Sequence, residues 1–113
     1  MYEFTIIVPV YNEEDNLNRV EKELLAYTNI AIKKTAILFV NDGSLDASLA
    51  MIEAICDRNE AFGYISFKNN KGLSAAIKAG FDHVFTDLVG YIDSDLQTSP
   101  EDFNKLLEHI DTY

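Results

Sequence analysis

A single cysteine in 113 residues rules out a disulfide within the chain, and Cys56, set in an apolar helical stripe, reads as a small core hydrophobe. Basic residues are scarce: nine Lys and Arg stand against nineteen Asp and Glu, a net charge of −10. That shortage argues against nucleic acid as a partner, because such binding neutralises phosphates with Lys and Arg. It also opposes any anionic ligand that does not bring a cation or meet aligned backbone N–H groups. No stretch approaches the ~20 apolar residues of a membrane span. Met1-Tyr2-Glu3-Phe4 has no basic segment ahead of an apolar one, so no signal peptide is visible. These absences make a cytoplasmic location the expectation. Neither His83 nor His109 has a second histidine at ligand spacing, which leaves no zinc set, and Ser44 and Ser74 lack a histidine partner for a triad. The Walker loop and the Gly-x-Gly-x-x-Gly fingerprint are missing too.

What is present is an alternation of strand and helix in a chain long enough for one domain, here residues 1–113. Apolar runs at 4–10, 35–40, 64–67 and 88–92 predict strands. Between them, Leu17, Val20 and Leu24 mark a first helix, with Asn12 as its cap and Glu13-Glu14-Asp15 in its first turn. Leu45, Leu49, Ile52 and Cys56 mark a second. Leu73, Ala76, Ile77, Gly80, Phe81 and Val84 mark a third. Ser99-Pro100-Glu101-Asp102 opens a last helix with Phe103, Leu106, Leu107 and Ile110 on its apolar face. Near-continuous apolar strands separated by helices predict a three-layer α/β sandwich around a mostly parallel sheet.

Every polar cluster then falls at the carboxyl end of a strand, the rim where ligands bind in open parallel sheets. Asp93-Ser94-Asp95-Leu96-Gln97 ends the fourth strand, and two carboxylates one residue apart on a strand share a face. With the Gln97 amide oxygen they form a hard oxygen set suited to Mg²⁺ or Mn²⁺. A lone Asp-x-Asp is often a solvated turn; four polar turns on one rim point to a site. Asp42, followed by Gly43, reads as an acceptor for a base N–H or a ribose hydroxyl, or as a turn aspartate. Lys71-Gly72 ahead of a helix could bring a cation and free N–H groups to a phosphate. Tyr11 stands apart from the other aromatics because it lies on this rim.

Four segments carry a resemblance: Ile7-Val8-Pro9-Val10-Tyr11-Asn12-Glu13-Glu14, Val40-Asn41-Asp42-Gly43-Ser44-Leu45-Asp46, Asn70-Lys71-Gly72-Leu73-Ser74-Ala75-Ala76, and Asp93-Ser94-Asp95-Leu96-Gln97 with Pro100-Glu101. In this order they resemble the inverting family 2 glycosyltransferases of the GT-A fold, and the last segment is similar to the branch that glycosylates polyprenyl and dolichyl phosphates. The resemblance implies a UDP- or GDP-linked sugar as donor, a lipid phosphate as one acceptor, and the cytoplasmic face of a membrane as the setting of a longer parent. It implies that Pro9, Tyr11 and Glu13 line the base pocket and that Asp42 holds base or ribose. Lys71 and Gly72 would lie near the nucleotide, with Asp93 beside it. Asp93, Asp95 and Gln97 would hold the metal. Asn41 stands where the family often has an acid. No catalytic base is identified in this chain; in the family it belongs to an acceptor-binding half that follows, so weak or no turnover is the expectation for these residues alone.

Two rival readings remain. A response-regulator receiver would need an acidic pair after the first strand, an aspartate after the third and a lysine after a fifth, and here the third strand ends in Phe67-Lys68-Asn69. A non-catalytic nucleotide-binding or assembly module is the other. An unpaired sheet edge would also invite a homo-oligomer.

Overall fold

The computed structural model describes residues 2–93 together with Asn104. Among the described residues seven elements alternate: β1 (Phe4–Val10), α1 (Leu17–Ile30), β2 (Thr35–Asp42), α2 (Ser48–Arg58), β3 (Phe62–Phe67), α3 (Leu73–His83) and β4 (Leu88–Tyr91). The four strands are parallel in the order β3-β2-β1-β4. Connections run outward from β1 through β2 to β3, then return to place β4 on the other side of β1. The reversal between β1 and β4 is a topological switch point, where the connections diverge and leave a crevice at the carboxyl ends.

The pleat sorts the core into two layers. Phe4, Ile6, Val8 and Val10 of β1 pack with Leu17, Val20, Leu24 and Tyr27 of α1 and with Ile52 and Ile55 of α2. Ile7 points the other way, to Val40 of β2 and Ala76 of α3. Every residue of β1 is buried, as befits a central strand covered on both faces. The α/β sandwich expected from the alternation is therefore present. Its α1–α2 layer is further tied by Arg58, which donates to both carboxylate oxygens of Glu21. The Arg58 hydrogen bond, with help from Asn59, holds the Glu21 carboxyl below its ordinary range despite the opposing effect of burial.

Several boundaries differ from the sequence expectations, each for a physical reason. α1 begins only at Leu17, and Asn12 is not its cap. Asn12 sits at φ +52°, a left-handed conformation Asn tolerates, and its side chain is spent on the distant Leu45 amide. Leu45 is not on the inner face of α2. It precedes the helix and is 87% exposed, while Ser48, Ile52 and Ile55 are buried. On α3 the large residues Leu73 and Phe81 are exposed, and Ala76 and Gly80 face the sheet. A Cβ on Gly80 would lie 2.8 Å from Ile7, so this helix approaches the strand too closely for anything larger. β2 runs on through Asn41 and Asp42, which pair with Ser66 and Phe67 of β3. The expected last helix lies outside the described residues apart from Asn104. That side chain closes α1: it accepts from Tyr27 Oη and Ile32 N and donates to Ile30 O, each at 3.1 Å.

Candidate functional site

At the switch point lies a cavity of about 380 Å³, lined by Pro9, Val10, Tyr11, Glu13, Asp42, Asn70, Gly72, Leu73, Ala76 and Asp93. This is within the ordinary range of small-molecule sites. Six residues singled out in the sequence, Pro9, Tyr11, Glu13, Asp42, Gly72 and Asp93, thus converge on one space from four different strand ends. Lys71 is not among the lining residues; its Nζ lies 4.8 Å from the centroid of the Phe67 ring. Asp95 and Gln97 lie outside the described residues.

The segment from the end of β2 to the start of α2 holds both neighbouring loops. Towards β1, Ser44 Oγ accepts from Asn12 N at 2.9 Å, Ser48 Oγ from Glu13 N at 2.9 Å, and Asp46 Oδ2 from Glu14 N at 3.2 Å. Asn12 Oδ1 returns the contact by accepting from Leu45 N at 2.8 Å. The segment that carries Tyr11 and Glu13 is thereby bound along its length. Towards β3, Asp42 Oδ1 accepts from Lys71 N at 2.7 Å, and its Oδ2 from Gly72 N at 3.0 Å and Asn70 Nδ2 at 3.1 Å. Gly43, at φ +69°, lies against this turn: a Cβ there would stand 2.4 Å from the Asn69 carbonyl carbon and the Asn70 nitrogen. Buried Asn41 completes the loop, donating to Ser66 Oγ at 3.1 Å and accepting from Ser44 N at 3.4 Å.

These bonds redefine some expected roles. The Lys71 and Gly72 N–H groups are not free for a phosphate, because a carboxylate of the same chain already takes them. The sequence places Ser44 and Asn70 in rim turns but assigns no holding role to Ser44, Asp46, Ser48 or Asn70. Their signal is the spacing of Ser44, Asp46 and Ser48 after a strand, short polar side chains able to bond backbone N–H groups. Cys56 is half-buried, and burial first, then the charge of Asp57, pushes its thiol up to about 11, so it is a protonated thiol at neutral pH.

Asp46 makes the loop sensitive to acid. Burial raises its pKa, but the hydrogen bonds from Ser48 and the Glu14 amide together outweigh it and hold the carboxyl below its ordinary value. A depressed folded-state pKa stabilises above the unfolded value, about 3.9, and that stabilisation is lost as pH falls through the folded value. Asp46→Asn is accordingly expected to lower Tm at pH ~7 and to differ progressively less from the wild type below pH ~4. Thermal melts across that range check this, and a difference that widens in acid would contradict it.

For a divalent ion, the described donors fit in kind but are few. Asp93 offers a hard carboxylate at the cavity, and among the described residues no group of three His, Cys, Asp or Glu could hold an ion. Among the same residues no helix is long and apolar enough to cross a membrane.

A parallel sheet covered by helices, with a rim cavity at its switch point, defines an α/β domain, and comparison with solved structures shows that its fold is of the GT-A type. TarS of S. aureus superposes with a TM-score of 0.75 at 22% identity, covering 97% of this chain and 32% of that one. The mannosyltransferase PcManGT of Pyrobaculum calidifontis, in complex with GDP-Man and Mn²⁺, superposes with a TM-score of 0.67 at 20% identity, covering 83% and 28%. The profile of glycosyl transferase family 2 matches residues 5–113, and the chain belongs to that family. Among its relatives is the undecaprenyl-phosphate 4-deoxy-4-formamido-L-arabinose transferase of Edwardsiella ictaluri, 35% identical over 108 residues. The enzyme of the same name from Klebsiella pneumoniae is 38% identical over 112. Each alignment covers 95% of this chain and 33% of the relative, so the chain spans about a third of their length.

Proposed function

We propose that this chain is the donor-binding part of a metal-assisted, inverting glycosyltransferase that takes a sugar from a nucleotide diphosphate and delivers it to a polyprenyl phosphate at the cytoplasmic face of a membrane. The observation that carries this reading is the convergence of Pro9, Tyr11, Glu13, Asp42, Gly72 and Asp93 on one cavity at the switch point. The relatives named as undecaprenyl-phosphate transferases support the acceptor class, and the UDP-GlcNAc and GDP-Man complexes of structurally similar proteins support the donor class.

In this reading Pro9, Tyr11 and Glu13 form the base pocket. Tyr11, 44% exposed, offers a ring face for stacking, and the Glu13 carboxylate an acceptor for base N–H groups. The residue 70–72 turn forms the opposite wall, where Gly72 leaves no side chain between ligand and α3. Asp93, Asp95 and Gln97 would hold the ion and with it the diphosphate, which a rim of net negative charge would otherwise repel. A divalent ion bound there supplies Lewis-acid stabilisation of the charge left on the departing nucleotide diphosphate. Binding and orienting the donor are the tasks of these residues. Activation and placement of the acceptor fall to other parts of the enzyme, so these 113 residues bind nucleotide with little or no turnover.

Calorimetric titration of UDP and GDP into the 113-residue chain, with and without Mn²⁺, tests this directly. Metal-dependent binding of one nucleotide is expected, with loss of the metal-dependent part in Asp95→Ala. Equal affinity with and without Mn²⁺ would remove the ion from the mechanism, and robust transfer to a polyprenyl phosphate by this chain would refute its dependence on an acceptor half.

A further inference from the structure

We propose that a second copy of this chain docks at the pole of the sheet opposite the rim, where Phe85 of each copy enters an apolar groove of the other. The groove, of about 360 Å³, lies at the amino ends of the strands. Its floor residues Thr5 and Gly63 alternate with Phe4 and Phe62 of the α1–α2 layer and therefore face the α3 side of the sheet. With Ala36 they make a floor of small residues, and a Cβ added to Gly63 would meet nothing within 4 Å. α3 ends at His83, and the connection that follows it carries Phe85 along the groove's margin. Phe85 is 100% exposed. One surface thus presents both an aromatic knob left wholly in water and an apolar hollow that this ring does not fill.

Three features select a second copy as the occupant. Knob and hollow on the same surface are what an isologous two-fold contact requires, since each ring then meets the other copy's groove. The hydroxyl protons at the floor are spent within the chain: Thr86 Oγ1 donates to the Leu88 carbonyl at 2.9 Å, so Thr5 Oγ1 is the donor in its 2.7 Å bond to Thr86. A small polar ligand, which needs placed polar groups to orient it, finds little there. A lipid surface is opposed by the net charge of −10, and no Lys or Arg lines the groove among the described residues to meet an anionic headgroup. Two phenyl rings at about 150–250 Å² each, with the walls that receive them, bury about 600–1,000 Å² in all, the scale of a weak and reversible dimer. Because the groove and the rim cavity lie at opposite ends of the strands, such a dimer leaves both rim cavities open.

Nothing in this contact rests on nucleotide binding, and sedimentation of the ligand-free chain tests it. Between ~10 and ~500 µM a reversible monomer–dimer equilibrium is expected, shifted towards dimer by salt, which screens the repulsion between two chains of the same charge. Phe85→Ala removes the knob, and Gly63→Val fills the hollow. Each is expected to weaken dimerisation at least ~10-fold, as truncating or blocking a central aromatic anchor does. Gly63→Val sets a β-branched residue in a strand over open space, so its Tm is expected to hold or rise while its dimer is lost, which separates the contact from misfolding. A mixture of the two variants restores one knob in one hollow, and the mixed dimer is expected to be tighter than either variant's own. A chain that stays monomeric at ~500 µM overturns the proposal. A dimer that either variant leaves unchanged overturns it too, placing the contact elsewhere, and a mixed dimer no tighter than the variants' own overturns reciprocal insertion. Should Gly63→Val not fold, the fully exposed Phe85→Ala decides alone.

Discussion

Gly43→Ala is expected to abolish measurable nucleotide binding and to cost about 3 kcal/mol of stability, the combined scale of overpacking and of a left-handed backbone at a residue with a Cβ. Two constraints meet at this position. The φ of +69° favours glycine, and the new methyl would lie 2.4 Å from backbone atoms of Asn69 and Asn70, which cannot rotate aside as a side chain would. Relief requires the residue 69–72 turn to leave β2, and the turn carries one wall of the cavity. In a chain of this size such a loss lowers Tm by on the order of 15 °C. Gly72→Ala is the control: its φ of +99° also disfavours a side chain, but nothing lies within 4 Å of the added Cβ. It is expected to show the conformational penalty, about 1–2 kcal/mol, without the clash. Denaturant titration of both variants measures the contrast, and equal losses would show that the contact with Asn69 and Asn70 does not matter.

Phe39→Ala is expected to have the opposite profile, a large loss of stability with affinity retained. Phe39 is fully buried in β2, and its ring centroid is 6.0 Å from that of Phe62 on the neighbouring strand. Truncating a buried aromatic costs about 3–5 kcal/mol, a large share of the ~5–15 kcal/mol that holds a domain together. Its side chain lies in the α1–α2 layer and does not line the cavity, so nucleotide affinity measured well below Tm should equal that of the wild type. A parallel fall in affinity would mean that the rim depends on this layer of the core.

The two variants separate what the fold supplies from what the β2–α2 loop supplies. The sheet brings four strand ends to one rim, but it does not by that fact shape the pocket. Tyr11 and Glu13 are held through Ser44, Asp46 and Ser48, and the opposite wall through Asp42 and Gly43. One short segment, from Asp42 at the end of β2 to Ser48 at the start of α2, thus holds both walls.

Much of this could be read from residue order. Apolar runs in β1 and β2 marked buried parallel strands because a strand covered on both faces has no need of alternation. Turns at strand ends marked the rim, and the family resemblance pointed to Pro9, Tyr11, Glu13, Asp42, Gly72 and Asp93 on it. Helix faces were less legible. Leu73 and Phe81 fit the helical period and are nevertheless exposed, since period fixes spacing around a helix but not how closely that helix approaches the sheet, and Leu45 fits the period of α2 but precedes the helix.

Partnership was not legible at all. Asp42 and Lys71 are 29 positions apart, and Glu13 and Ser48 are 35 apart. Which carboxylate meets which N–H depends on β2 lying between β1 and β3, a strand order chosen by the packing of whole helices on both faces. Chemistry-bearing residues and their rim are local properties, written in composition and spacing. Whether such a residue faces a ligand or spends its hydrogen bonds on its own chain is a long-range property, and for Asp42 folding assigned three of its bonds to the neighbouring turn.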